Sequence, residues 1–349
     1  MKVKIGDITK IKTGKLDANA SSENGEYPFF TCSKEPLRIA TYSYDCECVL
    51  VAGNGDLNVK YFNGKFDAYQ RTYIIEDNSE GRLFIPYLYY FMEGYVEELR
   101  KQAIGGVIKY IKLGNLTDAM IELPDVEIQK IIVDILSKTK GILDSRIRQI
   151  DMLDNLIKAR FVEMFGDPSS NPKNWMETTV GDECHYIKDG PHKSLPDIGK
   201  ENGGHPFISV RNIVNHTIDF TSARYISDAD YAEARKKCCP EKGDMLYSKG
   251  GTTGIAKLID TDVEFANWVH IAVLKFDRQK LNGIFFENML NSDYCYDQSQ
   301  RLTKGIANRD LVLSAMAQIK MYRPPFELQE QFAEFVQQVD KSKVIELAA

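Results

Sequence analysis

Leu123-Pro124-Asp125-Val126-Glu127-Ile128-Gln129 returns 200 residues later, where Pro324-Pro325-Phe326-Glu327-Leu328-Gln329-Glu330-Gln331 repeats its proline, acid and glutamine. At the same offset Leu113 meets Leu313, and Ile111, Leu116, Ile121, Ile132 and Ile135 fall on Leu311, Met316, Met321, Phe332 and Phe335. Upstream, Gly6-Asp7 with Ile11-Lys12-Thr13-Gly14 returns as Gly181-Asp182 with Ile187-Lys188-Asp189-Gly190. Tyr27-Pro28-Phe29-Phe30 returns as His205-Pro206-Phe207-Ile208, and Val49-Leu50 with Gly55 as Met245-Leu246 with Gly251. An ordered series of this kind marks a tandem duplication. Its long period excludes a short-repeat solenoid.

The chain of 349 residues accommodates two such units, at roughly 150 residues per domain. Residues 1–126 and 167–326 form the units, with helical segments at 127–166 and 327–349. Within the first unit, β-rich runs cover Tyr27 to Cys32 and Cys48 to Ala52, and Val59–Phe62 is expected to turn at Asn63-Gly64 into Lys65-Phe66. A helix is expected from Ile85 to Gln102, its aromatics serving the core, and another from Ser227 to Lys237 in the second unit.

A long helix is expected from Glu127 to Phe165, opened by Pro124-Asp125 and closed by Gly166-Asp167-Pro168. Leu136, Leu143, Ile150, Ile157 and Met164 recur every seven residues, as do Ile128, Ile135 and Ile142, which is coiled-coil spacing. At 1.5 Å per residue the rod is roughly 58 Å long. Its stripe needs a partner, and the second copy, carrying Leu328, Phe332 and Phe335, supplies about half of one by packing antiparallel. The fold class is therefore α+β: two β-rich α/β units in pseudo-twofold repeat, separated by long antiparallel coiled-coil-like helices.

Catalytic signatures are missing from the sequence. Gly53-Asn54-Gly55 follows a strand but precedes no helix that would receive a phosphate. Gly250-Gly251-Thr252-Thr253-Gly254 lacks the Gly-Lys-Ser/Thr of a nucleotide-binding loop, and Asn171-Pro172-Lys173-Asn174 lacks the second proline and aromatic of an amino-methyltransferase motif. The five histidines show no metal-ligand spacing. The seven cysteines, odd in number and without a Cys-x-x-Cys pair, read as reduced thiols. No apolar run is long enough to span a bilayer and no signal-peptide core follows Met1, so a cytoplasmic protein is expected.

Both units carry residues suited to nucleic acid in their loops: Arg or Lys for guanine and phosphate, Asn or Gln for adenine, Gly where backbone must approach closely. In the first these are Lys12, Thr13, Lys15, Asn54, Asn58, Lys60, Gln70, Arg71 and Lys109. In the second they are Lys188, Lys193, Arg211, Asn212, Lys249, Thr252, Thr253, Asn267, Arg301, Lys304 and Arg309. The net charge of −6 argues against a generic basic coat, but the deficit is spread: −3 over 1–126, +1 over 127–166, −1 over 167–326 and −3 over 327–349. A locally positive groove is compatible with these values.

Taken together, the Gly-Asp near each unit's start, Lys249-Gly250-Gly251-Thr252-Thr253-Gly254, the two proline-acid-Gln helix openings, and Phe161-Val162-Glu163-Met164-Phe165-Gly166-Asp167-Pro168 leading to Asn171-Pro172-Lys173-Asn174-Trp175 resemble the specificity (S) subunits of type I restriction-modification systems. The resemblance covers essentially the whole chain. It implies two target recognition domains that each read half of a bipartite, asymmetric site on double-stranded DNA, with helices that set the gap and dock methyltransferase (M) subunits, two of them. It implies a non-catalytic chain with no cofactor or metal of its own: S-adenosylmethionine, ATP and magnesium belong to M and to the restriction (R) subunits. The C-terminal helix, about 23 residues long, departs from the family's pattern. The alternatives are a truncated or silent variant that needs another S fragment, or a stand-alone DNA nuclease or methyltransferase.

Overall fold

A computed structural model describes residues 1–305 and 308–348, with side chains through residue 343. The chain divides into two compact units, Met1–Ser145 and Arg146–Ala349. The first unit runs β1 (Lys2–Lys4), α1 (Ile5–Ile8), β2 (Thr9–Thr13), β3 (Tyr27–Phe30), β4 (Leu37–Ile39), β5 (Tyr44–Ala52), β6 (Val59–Ala68), β7 (Thr72–Asp77), α2 (Ile85–Gln102), α3 (Leu113–Thr117), β8 (Met120–Glu122) and the first half of α4 (Val126–Phe165). The second completes α4 and continues with β9 (Met176–Thr179), α5 (Val180–Glu183), β10 (Cys184–Asp189), β11 (His205–Ile208), β12 (Arg224–Ile226), α6 (Asp228–Lys237), β13 (Met245–Ser248), β14 (Ala256–Leu258), β15 (Ala266–Asn267), β16 (Ile271–Phe276), α7 (Gly283–Leu290), α8 (Asp293–Leu302), α9 (Leu313–Met316), β17 (Lys320–Arg323) and α10 (Phe326–Ala348). The expected end of the last helix, Ala349, lies outside the described residues.

The two units share one wiring. In the first, six strands lie in the order β2-β7-β5-β6-β3-β4, and β1 pairs with β8. In the second, β10-β16-β13-β14 and β12-β11-β15 form two sheets, and β9 pairs with β17. The long strand β6 thus has two counterparts, β14 and β15. The parallel pairing of β3 with β6, Phe29 opposite Asp67, is repeated by β11 with β15, Phe207 opposite Ala266.

The hairpin expected at Asn63-Gly64 is not formed. Those residues lie inside β6, Asn63 opposite Glu47 and Gly64 opposite Cys46. An Asn-Gly dipeptide favours a two-residue turn only when nothing longer competes for its flanks. Here β5 pairs continuously from Val51 opposite Val59 to Tyr44 opposite Phe66, and Phe62 and Phe66 pack against Phe30 at 5.1 and 5.6 Å between ring centroids. That partner strand and aromatic packing override the local preference, and the chain reverses over 53–58 instead.

Helix α2 covers Ile85–Gln102 as expected, but its buried stripe is mostly aliphatic: Ile85, Leu88, Met92, Val96 and Leu99 recur at helical spacing. Tyr87, Tyr89, Phe91 and Tyr95 flank the stripe, half-buried against the same core. In the second unit α6 starts from Ser227, whose side chain accepts from the Asp230 amide.

The two halves of α4 meet different surroundings. Around its C-terminal half, Phe161 and Phe165 pack with Phe285 and Phe332 at centroid distances of 4.9–5.7 Å. Ile157, Val336 and Val339 join this core, and Lys343 pairs with Asp154 at 2.7 Å. Residue 332 faces 161 and 165 while 343 faces 154, so α10 runs antiparallel to this part of α4. The N-terminal half rests on α2, where Lys140 pairs with Glu93 at 2.7 Å, and Ile128, Ile131, Ile135, Leu136, Ile142 and Leu143 remain exposed.

Candidate nucleic-acid interface

In the first unit, backbone hydrogen bonds gather five loops at one end of the sheet. The Gly14 amide donates to Thr72 O at 3.0 Å, Gln70 to Leu16 O at 2.9 Å, and Gly53 to Arg71 O at 2.8 Å. Gly55 donates to Lys109 O at 2.9 Å, and Ile111 closes back onto Gly53 O at 2.9 Å. Asn58 Nδ2 adds the loop after β3 through Cys32 O at 2.8 Å. A Cβ on Gly14 would lie 2.1 Å from Ala68 O, so only glycine permits the first loop to approach that closely.

This frame brings Thr13, Lys15, Asn54, Gln70, Arg71 and Lys109 together, all exposed except the half-buried Asn54. Lys12, Asn58 and Lys60 hold the frame from beneath. Lys12 ion-pairs with Glu76; burial lowers its pKa, but the hydrogen bond and charge of that carboxylate more than offset the penalty and leave it raised. Asn58 spends its amide nitrogen on two carbonyls and accepts from Lys60. Burial holds Lys60 below the ordinary lysine value. The exposed cations Lys15, Arg71 and Lys109 are the ones geometrically open to a phosphate or a base edge.

The second unit repeats three bonds of this frame. Lys249 N donates to His270 O at 2.8 Å, as Gly53 does to Arg71; Gly251 N donates to Arg309 O at 3.0 Å, as Gly55 does to Lys109; Leu311 N donates to Lys249 O at 2.7 Å. Gly190 takes the place of Gly14, and a Cβ there would lie 1.8 Å from Asn267 O. Lys188, Lys193, Arg211, Thr252, Arg301, Lys304 and Arg309 are exposed. Lys193 lies just beyond Gly190, Thr252 just beyond Gly251, and Lys304 and Arg309 share one loop. Arg211 lies on a separate loop, its guanidinium donating to Ser222 O at 2.8 Å.

Four residues expected to meet DNA point inward instead. Asn212 accepts from Ser209 N at 2.8 Å and donates to Asp219 O and the Ser222 hydroxyl, both at 3.1 Å, so its hydrogen-bonding capacity is spent on its own loop. Buried Asn267 donates to Ile271 O at 2.9 Å. Thr253 packs against the Thr303 hydroxyl at 3.0 Å. Lys249, also buried, lies between Asp310 at 2.8 Å and Asp189 at 3.6 Å, which supply the counter-charge that its burial requires. These side chains build the platform; composition alone cannot distinguish them from those that project.

The same register brings onto the frame two residues outside the expected set, Trp268 and His270. Arg71 corresponds to His270, whose carbonyls accept from Gly53 N and Lys249 N, and Tyr69 corresponds to Trp268, whose amides donate to Phe30 O and Ile208 O, each at 2.9 Å. The Trp268 and His270 rings stack at 4.7 Å and 17°. The correspondence is hidden in the sequence because the spacing differs: His270 lies 21 residues after Lys249, whereas Arg71 lies 18 after Gly53.

Of the helix positions, Ile157 and Phe332 are buried, and Met164, Leu328 and Phe335 pack partly buried against the same core. Ile150 is half-buried, while Ile128, Ile135, Leu136 and Leu143 are exposed. All seven cysteines are free. Among the described residues no helix is long and apolar enough to cross a membrane, and no group of three or more His, Cys, Asp or Glu side chains is arranged to hold a metal.

A family profile described as "Type I restriction modification DNA specificity domain" matches residues 1–150 and 172–348. The chain is 35% identical over 221 residues to the type I restriction enzyme EcoDI specificity subunit of Escherichia coli, a stretch covering 61% of this chain and 49% of that protein. It therefore spans about half the length of that relative. Identity to the type I restriction enzyme MjaVIII specificity subunit of Methanocaldococcus jannaschii is 23% over 366 aligned positions, covering 97% of this chain and 85% of that one. In fold, it resembles the crystal structure of the type I restriction-modification S subunit from M. genitalium, with a TM-score of 0.64 at 18% identity, covering 100% of this chain and 91% of that chain.

Proposed function

Because the chain belongs to the type I restriction-modification DNA specificity family, we propose that it is the recognition component of such a system and that each unit reads one half of a bipartite site on double-stranded DNA. The observation that carries this reading is the repeated loop frame with different side chains on it. Gly53–Arg71 and Lys249–His270 make the same backbone bond, yet they present a guanidinium in one unit and an imidazole in the other. One scaffold with two sets of projecting groups is what an asymmetric site requires. Arg71 with Gln70 suits guanine and adenine edges, and Lys15, Lys109, Lys304 and Arg309 suit flanking phosphates.

Helix α4, 40 residues and about 60 Å long, is continuous from one unit into the other and acts in this reading as the ruler for half-site spacing. That length exceeds the ~34 Å turn of B-DNA. The exposed apolar stripe from Ile128 to Leu143 docks the methyltransferase subunits, two in the complex. Adenine methylation with S-adenosylmethionine is the task of those subunits, and ATP-driven and magnesium-dependent steps are the task of the restriction subunit. This chain itself contributes recognition and no chemistry. A net charge of −6 gives the isolated chain little sequence-independent hold on DNA, so the methyltransferase subunits supply much of the surrounding grip. Footprinting of the chain in complex with its methyltransferase subunits tests the reading: two protected patches separated by an unread gap support it, and one continuous patch or none contradicts it.

A further inference from the structure

The loop between α2 and α3 exposes a run of apolar side chains. Val107 is fully exposed, Ile108 is 62% exposed, and Ile104 and Tyr110 are exposed beside them. Scattered exposed aliphatics are ordinary, but four such residues within seven positions form a patch. Their loop is closed at its base, where Ile104 and Tyr110 exchange both backbone hydrogen bonds, at 3.0 and 2.9 Å, and Lys109 O accepts from Gly55 N. Gly105 turns with φ at 115°, and a Cβ there would meet Ile108 O at 2.5 Å. The base is thus pinned to the loop frame with Val107 and Ile108 projecting from it.

The second unit builds the same base. Lys304 and Asp310 exchange the same two bonds, both at 2.9 Å, Gly251 N donates to Arg309 O, and Gly305 turns with φ at 87°. Asn308 and Asp310 stand where the first unit has Ile108 and Tyr110, and the tip of this second loop, Ile306-Ala307, lies outside the described residues.

We propose that Val107 and Ile108 form an apolar wedge that the first unit inserts against the base stack of its own half-site, unstacking one step. The occupant is DNA because the loop is joined through Gly55 and Gly53 to Asn54 and Arg71 and carries Lys109 at its flank, so the apolar tip sits within the cationic cluster assigned to DNA. Branched aliphatic side chains inserted in this way part base steps and kink the duplex. Flexible pyrimidine–purine steps yield most readily, which gives the first half-site a sequence preference at a step that no hydrogen bond reads.

This inference rests on the proposed DNA recognition. It is tested with the chain and its methyltransferase subunits on duplexes carrying 2-aminopurine at successive steps of each half-site. The parent complex is expected to raise the fluorescence at one step of the first half-site. The double variant Val107→Ser with Ile108→Asn is expected to keep binding the site while losing that rise. Unchanged fluorescence in the parent complex, or a rise that survives in the double variant, overturns the wedge while leaving half-site recognition intact. A double variant that no longer associates with the methyltransferase subunits assigns the tip to a protein contact and also overturns it. A parent complex with no sequence-specific binding would be a separate result, removing the recognition reading and the wedge together.

Discussion

Gln129 and Gln329 make the same three hydrogen bonds in the two units. Gln129 is fully buried; its Oε1 accepts from Phe84 N at 2.9 Å and its Nε2 donates to Arg82 O and Pro124 O, both at 2.7 Å. Gln329, equally buried, accepts from Asn282 N at 2.8 Å and donates to Lys280 O at 3.3 Å and Pro324 O at 2.8 Å. In each unit one amide ties the start of a long helix to the residue that caps α2 or α7. That is the physical reason for the proline-acid-Gln repeat. Gln129→Ala leaves an amide and two carbonyls buried without partners, and is expected to lower the unfolding free energy by about 2 kcal/mol. Gln329→Ala should cost about as much. Urea denaturation of the full chain measures both, and a cost below 0.5 kcal/mol, roughly the effect of a neutral surface change, would show that the amide is not structural.

Arg71 and Arg309 project from the frames of different units. Replacing Arg71 by alanine is expected to weaken discrimination in the first half-site by about 1–3 kcal/mol while leaving preference in the second unchanged. Arg309→Ala should affect only the second. Competition binding against duplexes altered in one half at a time reads both effects, and an equal loss in both halves from either variant would contradict the division of labour.

Leu143 is 58% exposed, whereas Ile157, two heptads further along the same stripe, is 7% exposed. Leu143→Asp should therefore change the stability of the free chain by no more than about 0.5 kcal/mol and act through lost association with the methyltransferase subunits. Ile157→Asp buries a charge against Phe161 and Phe332 and should destabilise the second unit by about 3 kcal/mol or more. Thermal unfolding together with gel filtration of the complex separates the two effects. Normal assembly of the Leu143→Asp chain would remove the stripe as a docking surface.

The cysteines offer a test of the proposed interface. Burial pushes the Cys184 and Cys295 thiols up to about 12 and Cys238 up to about 11, so these remain protonated near neutrality and should react slowly with a thiol reagent. Cys32 is only half-buried, and its Sγ lies 3.7 Å from Arg71 O. Cys32 and the half-buried Cys239 are expected to label first, and cognate DNA in the complex should protect Cys32 alone. Labelling of Cys32 at the same rate with and without DNA would place the first unit's interface elsewhere.

Much of the architecture was legible because it rests on periodicity and repetition. The seven-residue spacing from Leu136 to Met164 predicts α4, which spans Val126–Phe165, and the matched glycines Gly14 and Gly190 mark close approaches that no side chain survives. The Asn63-Gly64 turn was misread because strand pairing against Glu47 and Cys46 is a long-range choice that a dipeptide does not encode. Inward and outward residues within a loop were likewise indistinguishable. Asn212 and Arg211 are adjacent and equally polar, and only the Ser209–Asn212 turn buries one and exposes the other. His270 was overlooked because its equivalence to Arg71 exists in the backbone bonds and in no shared motif.

The central claim is that one chain specifies two different half-sites. Single-molecule methylome sequencing of cells with and without the gene, its methyltransferase partner present in both, tests it most directly. The account predicts a single bipartite motif that appears only with the gene, with methyladenine in each half and a fixed unread gap between them. A continuous motif, or a methylome unchanged by the gene, would contradict it.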